Sequence, residues 1–314
     1  MGENARKIGE KLEGFGTMLF SGFGWNEITR DREITCRRKG AHGKQTHGID
    51  IMMNYANPYQ NAKQGIIVEC KNRQMKSITQ AEMDKWVAEL IGTIECAQGS
   101  SDLADLALNG TNIFTGLLLI HADDEYKAHL FNKYRSNLKV PSKRNPINIF
   151  VAGNEDIDRW NALLDFVERE YNDKFSFVYQ SIEGSNMVQG RYLTINALYS
   201  KYVFAQQITY SEQMKDNMPY SLPMMKKILF VFDEISTETF QYLWSLFKYY
   251  QSQNAEIFEF VFYPRKTGDV EFVKANFVNT LYQISQPIDK DIEKKISLKF
   301  LDNRSLSPVD SGRR

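Results

Sequence analysis

Asp50, Glu69 and Lys71 stand on two neighbouring apolar segments, His47-Gly48-Ile49-Asp50-Ile51-Met52-Met53 and Gly65-Ile66-Ile67-Val68-Glu69-Cys70-Lys71. Side chains alternate along a strand, so Glu69 and Lys71 leave the backbone on one face and Cys70 on the other. Two carboxylates and an ammonium at the end of a buried hairpin are costly unless they bind something. A divalent cation and a phosphate would satisfy all three, and phosphodiester hydrolysis is the first chemistry that combination points to. The alternative is a salt bridge of Lys71 with Glu69 or Asp50 at a strand end.

Each residue type suits the reaction. Asp50 and Glu69 are hard oxygen ligands for Mg²⁺, with Mn²⁺ as the other option. Water bound to such an ion is acidified into a nucleophile, and the phosphoryl oxygen is polarised. Lys71 would orient that water or offset charge on the phosphorane, a point-charge role that lysine suits.

Several elements must position these groups. Ile8, Leu12, Phe15 and Leu19 predict a helix over residues 3–20, broken by Gly22 and Gly24 before Trp25. A strand is expected from Glu27 to Cys36. A basic run from Arg30 to Lys44, overlapping the end of that strand, includes Arg37, Arg38, Lys39 and Lys44. It reads either as a solvated loop or as a phosphate-contacting patch beside the scissile bond. The segment Asn54 to Tyr59 has turn chemistry and joins the two central strands. Thr79 caps a further helix, with Glu82 at capping-box spacing and a stripe of Met83, Trp86, Val87, Leu90 and Ile91. Apolar runs at Thr115 to His121 and Ile147 to Ala152 read as buried strands, each followed by a helical pattern. That alternation predicts an α/β layered domain over residues 1–175.

These residues resemble the PD-(D/E)XK nuclease superfamily, the restriction-endonuclease-like fold, and most of all its Mrr-like branch. The motif match covers residues 5–90, and the order of elements extends it to 175. In that family a helix supplies an acidic residue, here within Gly9-Glu10-Lys11-Leu12-Glu13, and Glu13 is the better placed, with Glu10 one turn away. Asp50 takes the strand position and Glu69-Cys70-Lys71 the (D/E)-x-K triplet, although Ile49 stands where the family name has proline. The resemblance implies a central mixed sheet flanked by helices, a metal held by Asp50, Glu69, Glu13 and the Cys70 backbone carbonyl, and catalytic roles for these residues with Lys71. It also matches Gln80 to a glutamine that many of these nucleases carry after the triplet. Asn72, Arg73 and Lys76 continue past it, and Arg73 and Lys76 are candidates for the nucleic-acid backbone. A DNA endonuclease in a prokaryotic restriction or antiphage system is implied, acting as a homodimer or with a second protein. A repair or junction-resolving nuclease, and a nuclease-fold binding subunit active only with a partner, are the rival readings.

The 314 residues carry 39 basic and 39 acidic side chains, so any nucleic-acid contact must be local. No apolar window suggests a membrane span, and the charged N-terminal segment does not read as a signal peptide. Cys36, Cys70 and Cys96 lie far apart without a CxxC pair, which argues against structural zinc and suits a cytoplasmic protein. His42 and His47, without cysteine partners, read as loop histidines, and His121 as a strand-end residue. The segment Ile228 to Glu234 imitates a Walker B strand, but the sequence has no phosphate-binding G-x-x-x-x-G-K-[ST] loop. Residues 176–225 show no clear period. Strands at Lys227 to Asp233 and Ile257 to Tyr263, and helices at Thr237 to Tyr250 and Val270 to Tyr282, predict a second α/β or α+β domain over 176–301. Its expected role is substrate selection, dimerisation or partner binding. Residues 302–314 are expected to be a disordered tail.

Overall fold

The computed structural model describes residues 3–106, 108–141, 146–171, 174–180, 187–190, 192–215, 218–249, 255–284 and 294–302. The chain divides into two compact units, Met1–Asn161 and Ala162–Ser305. The tail expected to be disordered lies, from residue 303 on, outside the described residues.

In the first unit the elements run α1 (Glu3–Gly22), β1 (Asn26–Thr35), a single helical turn α2 (Lys39–His42), β2 (Thr46–Ala56), β3 (Lys63–Arg73), α3 (Gln80–Ala97), β4 (Thr111–Ala122), α4 (Ala128–Ser136), β5 (Asn148–Ala152) and the start of α5 (Asn154–Glu170), whose residues from Ala162 on belong to the second unit. The strands form a mixed sheet in the order β1-β2-β3-β4-β5. Pairing is antiparallel from β1 to β3 and parallel from β3 to β5.

Helices cover the two faces of this sheet. A Cβ added at Gly16 of α1 would meet Leu119 and Ile51, so α1 approaches the strands closely. One added at Gly116 of β4 would meet Leu90 and Ile94 of α3 at 2.8 Å. Leu118 and Ile120 share the core under α3 with Met83, Trp86 and Val87. β4 is therefore buried on both faces, which explains its continuous apolar run.

Sequence signals mark the end of α1 and the start of α3. Gly24, at φ +79°, ends α1. Its N–H donates to the Ser21 carbonyl, that of Trp25 donates to Phe20, and the Trp25 and Phe20 rings stack at 4.7 Å. This is a glycine-terminated Schellman motif with its hydrophobic contact. Thr79 caps α3, its side chain accepting the Glu82 N–H at 3.3 Å.

The second unit builds a six-stranded mixed sheet in the order β11-β10-β9-β8-β6-β7. Its strands are β6 (Phe175–Gln180), β7 (Met187–Gly190), β8 (Tyr202–Lys215), β9 (Met218–Val231), β10 (Ile257–Phe262) and β11 (Ile296–Phe300), with α6 (Ile195–Leu198), α7 (Thr237–Tyr249) and α8 (Asp269–Ile284). The region without a clear period holds β8 and the first half of β9, which form a long hairpin paired from Tyr202↔Val231 to Lys215↔Met218. Asp233, in the Walker-B-like segment just past β9, accepts from Tyr202 Oη at 2.7 Å and pairs with Lys201 at 2.8 Å. No helix among the described residues is long and apolar enough to cross a membrane.

Candidate active site

The β2–β3 ladder runs from Ala56↔Lys63 to Ile51↔Val68. Asp50 and Glu69 are the next residues on the two strands, and there the strands part. β3 stays paired with β4 through Arg73↔Ala122. Asp50 Oδ2 takes up one of the freed donors, accepting the Cys70 N–H at 2.7 Å. Lys71 forms an ion pair with Glu69, both side chains largely buried. The salt bridge and the shared site are thus one arrangement.

Burial raises the Asp50 carboxyl above the ordinary carboxylate range, and the charge of Asp31 adds to this. The Cys70 N–H and the Lys71 ammonium oppose that shift without cancelling it. Glu69 is also raised, by burial and then by Asp50. Burial alone would lower the Lys71 ammonium, but Glu69, Asp50 and Glu89 outweigh it and hold the charge above the usual lysine range. Glu13, on α1, is pushed up to about 7 by burial, by Asp50 and by Asp31. Glu13, Asp50 and Glu69 thus come from three elements into one electrostatic neighbourhood.

Asp31 was not among the sequence candidates. It lies across from Asp50, between the pairs Arg30↔Ile51 and Arg32↔Ile49. Among the described residues it is the non-glycine with positive φ, at +48°. Aspartate tolerates that region better than most residues, yet a strand position there stores strain of the kind found at functional sites. A carboxylate flanked by two arginines in a strand was the available signal.

The remaining candidates fall in different places. Glu10 is exposed, one turn from Glu13. The Gln80 amide donates to Asp84 of its own helix at 3.2 Å. Arg37 donates to the Gln98 and Gly99 carbonyls, Arg38 pairs with Glu95, and Lys44 pairs with Glu89. These three basic residues therefore tie the basic segment to α3 and the turn after it. Lys39, Arg73 and Lys76 are exposed, and Arg73 also donates to its neighbour's carbonyl at Asn72. His121 bonds Asn72 at 3.2 Å, a strand-end contact. The reading of His42 and His47 as lacking cysteine partners is corrected, because the fold carries Cys36 and Cys96 to them. Cys96 sits on α3, far away in sequence, so local spacing could not reveal it.

Three carboxylates whose proton affinity is raised by burial and by neighbouring acidic groups, beside one ammonium, offer oxygen donors of the type a hard divalent cation takes. This part of the chain, which carries Glu13, Asp50 and the Glu69-x-Lys71 triplet on a mixed sheet, belongs to the PD-(D/E)XK nuclease superfamily. The family model it matches, over residues 1–156, is that of the GAPS4 protein PD-(D/E)XK nuclease domain. No curated protein and no solved structure matches the chain.

Proposed function

We propose that the chain is a divalent-metal-dependent endonuclease that hydrolyses DNA phosphodiester bonds in a prokaryotic restriction or antiphage system. The observation that carries this reading is the convergence of Glu13, Asp50 and Glu69 with Lys71 where β2 and β3 part. Its family supports a nuclease, and an antiphage role for it.

Asp50, Glu69, Glu13 and the Cys70 carbonyl would hold Mg²⁺ or Mn²⁺, which when bound supplies an acidified water and a polarised phosphoryl oxygen. The Cys70 N–H fixes one oxygen of Asp50 and so sets the direction of the other. Lys71 stays charged beside Glu69 and offers its ammonium to the negative charge that develops on the phosphorane. Exposed Arg73 and Lys76, just past the triplet, supply charge for the DNA backbone, as does Lys39. The protein works as a homodimer or with a second protein.

The test is nicking of supercoiled plasmid by purified protein with Mg²⁺ or with EDTA. Cleavage is expected only with the metal, and Asp50→Ala and Lys71→Ala are expected to abolish it while leaving the circular dichroism spectrum unchanged. Full activity in either variant would overturn the assignment. An inert wild-type chain that copurifies with a second protein would favour the partner-dependent reading instead.

A further inference from the structure

A second cluster lies in the first unit and uses none of the carboxylates above. Cys36 follows β1, His42 closes α2, His47 lies on β2, and Cys96 comes from the last turn of α3. One ligand atom from each falls within 4.8 Å of all the others. We infer that these four side chains form a structural zinc site that clamps the Cys36–His47 segment onto α3.

The distances have the form of a coordination tetrahedron. In tetrahedral zinc, with Zn–S of about 2.3 Å and Zn–N of about 2.05 Å, two sulfurs lie about 3.8 Å apart, sulfur and nitrogen about 3.5 Å, and two nitrogens about 3.3 Å. Here the Cys36 and Cys96 Sγ atoms are 3.9 Å apart. His42 Nδ1 lies 3.4 Å from Cys36 Sγ, 3.6 Å from Cys96 Sγ and 3.2 Å from His47 Nε2. These four of the six edges agree with the tetrahedron to within about 0.2 Å, and the two from His47 to the sulfurs lie within 4.8 Å.

Hydrogen bonding alone does not account for this convergence. A neutral imidazole nitrogen is one donor or one acceptor. His42 directs Nε2 at the Glu95 carboxylate, 3.1 Å away, so in the neutral ring Nδ1 carries a bare lone pair. That lone pair faces a second ring nitrogen and two sulfurs, and one hydrogen bond can satisfy only one of them. A central cation satisfies all four. Two thiolates with two neutral imidazoles also cancel the charge of Zn²⁺, which suits a site where Cys36, His47 and Cys96 are buried.

The surroundings support the same reading. The Glu95–His42 contact is the carboxylate–histidine arrangement that orients zinc-bound imidazoles. The Arg37 N–H donates to Cys96 Sγ at 3.4 Å. A Cβ at Gly92 of α3 would lie 3.3 Å from the His47 ring and 3.6 Å from His42 Nδ1, so glycine leaves room for both rings. A cleft of about 350 Å³ lined by His42, His47, Glu89 and Glu95 provides access. With four protein ligands the site is closed, as in structural rather than catalytic zinc.

Elemental analysis of the purified full-length chain is expected to give close to one zinc per chain, retained in an Asp50→Ala, Glu69→Ala double variant and lost in Cys36→Ala, Cys96→Ala. Replacing zinc by Co²⁺ in the wild-type protein is expected to give the intense visible bands of a tetrahedral thiolate site, a readout that needs no variant to fold. A folded wild-type protein that holds no zinc and shows no such bands would overturn the inference. So would zinc that disappears when only the carboxylates are changed. Neither result depends on nuclease activity.

Discussion

Glu13→Gln gives a test of the site's electrostatics that needs no substrate. The carboxyl of Glu13 is raised from 4.5 to about 7 by burial, by Asp50 and by Asp31. A group whose folded-state pKa is raised binds more protons when folded, so its ionisation costs native stability as pH rises. Below pH 4.5 the carboxyl is protonated in both states and the cost vanishes. It grows between pH 4.5 and about 7 and is constant above that. At about 1.4 kcal/mol per pKa unit the full effect is roughly 3 kcal/mol. Glu13 is only half-buried, and screening reduces that figure to about 1–2 kcal/mol. The near-isosteric glutamine removes the charge, so in EDTA at pH 8 the variant is expected to melt about 4 °C above wild type, the difference closing by pH 4. Mg²⁺ is expected to stabilise wild type more than the variant. A variant no more stable than wild type at pH 8 in EDTA would refute the claim that burial and the neighbouring carboxylates disfavour the Glu13 charge in the folded protein.

Three other outcomes follow from particular contacts. Alanine at Asp31, where φ is +48°, is expected to be about 1 kcal/mol less stable than glycine there, measured by urea unfolding. Equal stabilities would show that the backbone is not strained at that position. Gly116→Val drives a side chain into Leu90 and Ile94, which already lie 2.8 Å from a bare Cβ, and is expected to cost about 1–3 kcal/mol by the same assay. Arg73→Ala is expected to weaken DNA binding and to reduce the salt slope of log K by about one. An unchanged slope would remove Arg73 from the DNA-contacting surface.

Periodicity and capping made much of the first unit legible. The α1 stripe at Leu12, Phe15 and Leu19 is buried, Thr79 caps α3, and β4 and β5 lie where apolar runs stood. The helical pattern after the Thr115–His121 strand forms a helix over Ala128–Ser136. The β8–β9 hairpin was hidden for a different reason. Tyr210, Met214 and Leu222 are exposed toward its tip, so neither face imposes the alternation that burial normally writes into a strand. β11 was missed as well, being short and half-buried along its whole length.

In the candidate site, local spacing revealed what lies on one hairpin and hid what crosses between elements. Glu69 and Lys71 share a strand, and Asp50 is on its neighbour. Asp31 meets Asp50 only through β1–β2 register, and Cys96 meets Cys36 only through packing of α3. The basic run illustrates the same limit, since its charges read alike in sequence. In the fold Arg37, Arg38 and Lys44 find partners on α3 and the turn after it, whereas Lys39 stays exposed.

The central claim is that Glu13, Asp50 and Glu69 form one cation site beside Lys71. Anomalous diffraction from crystals soaked in Mn²⁺ tests it most directly. The expected result is a peak between the Asp50 and Glu69 carboxylates, within ligand distance of both and bordered by Glu13. Full occupancy elsewhere with these carboxylates bare, or no manganese at all in crystals that bind DNA, would contradict it.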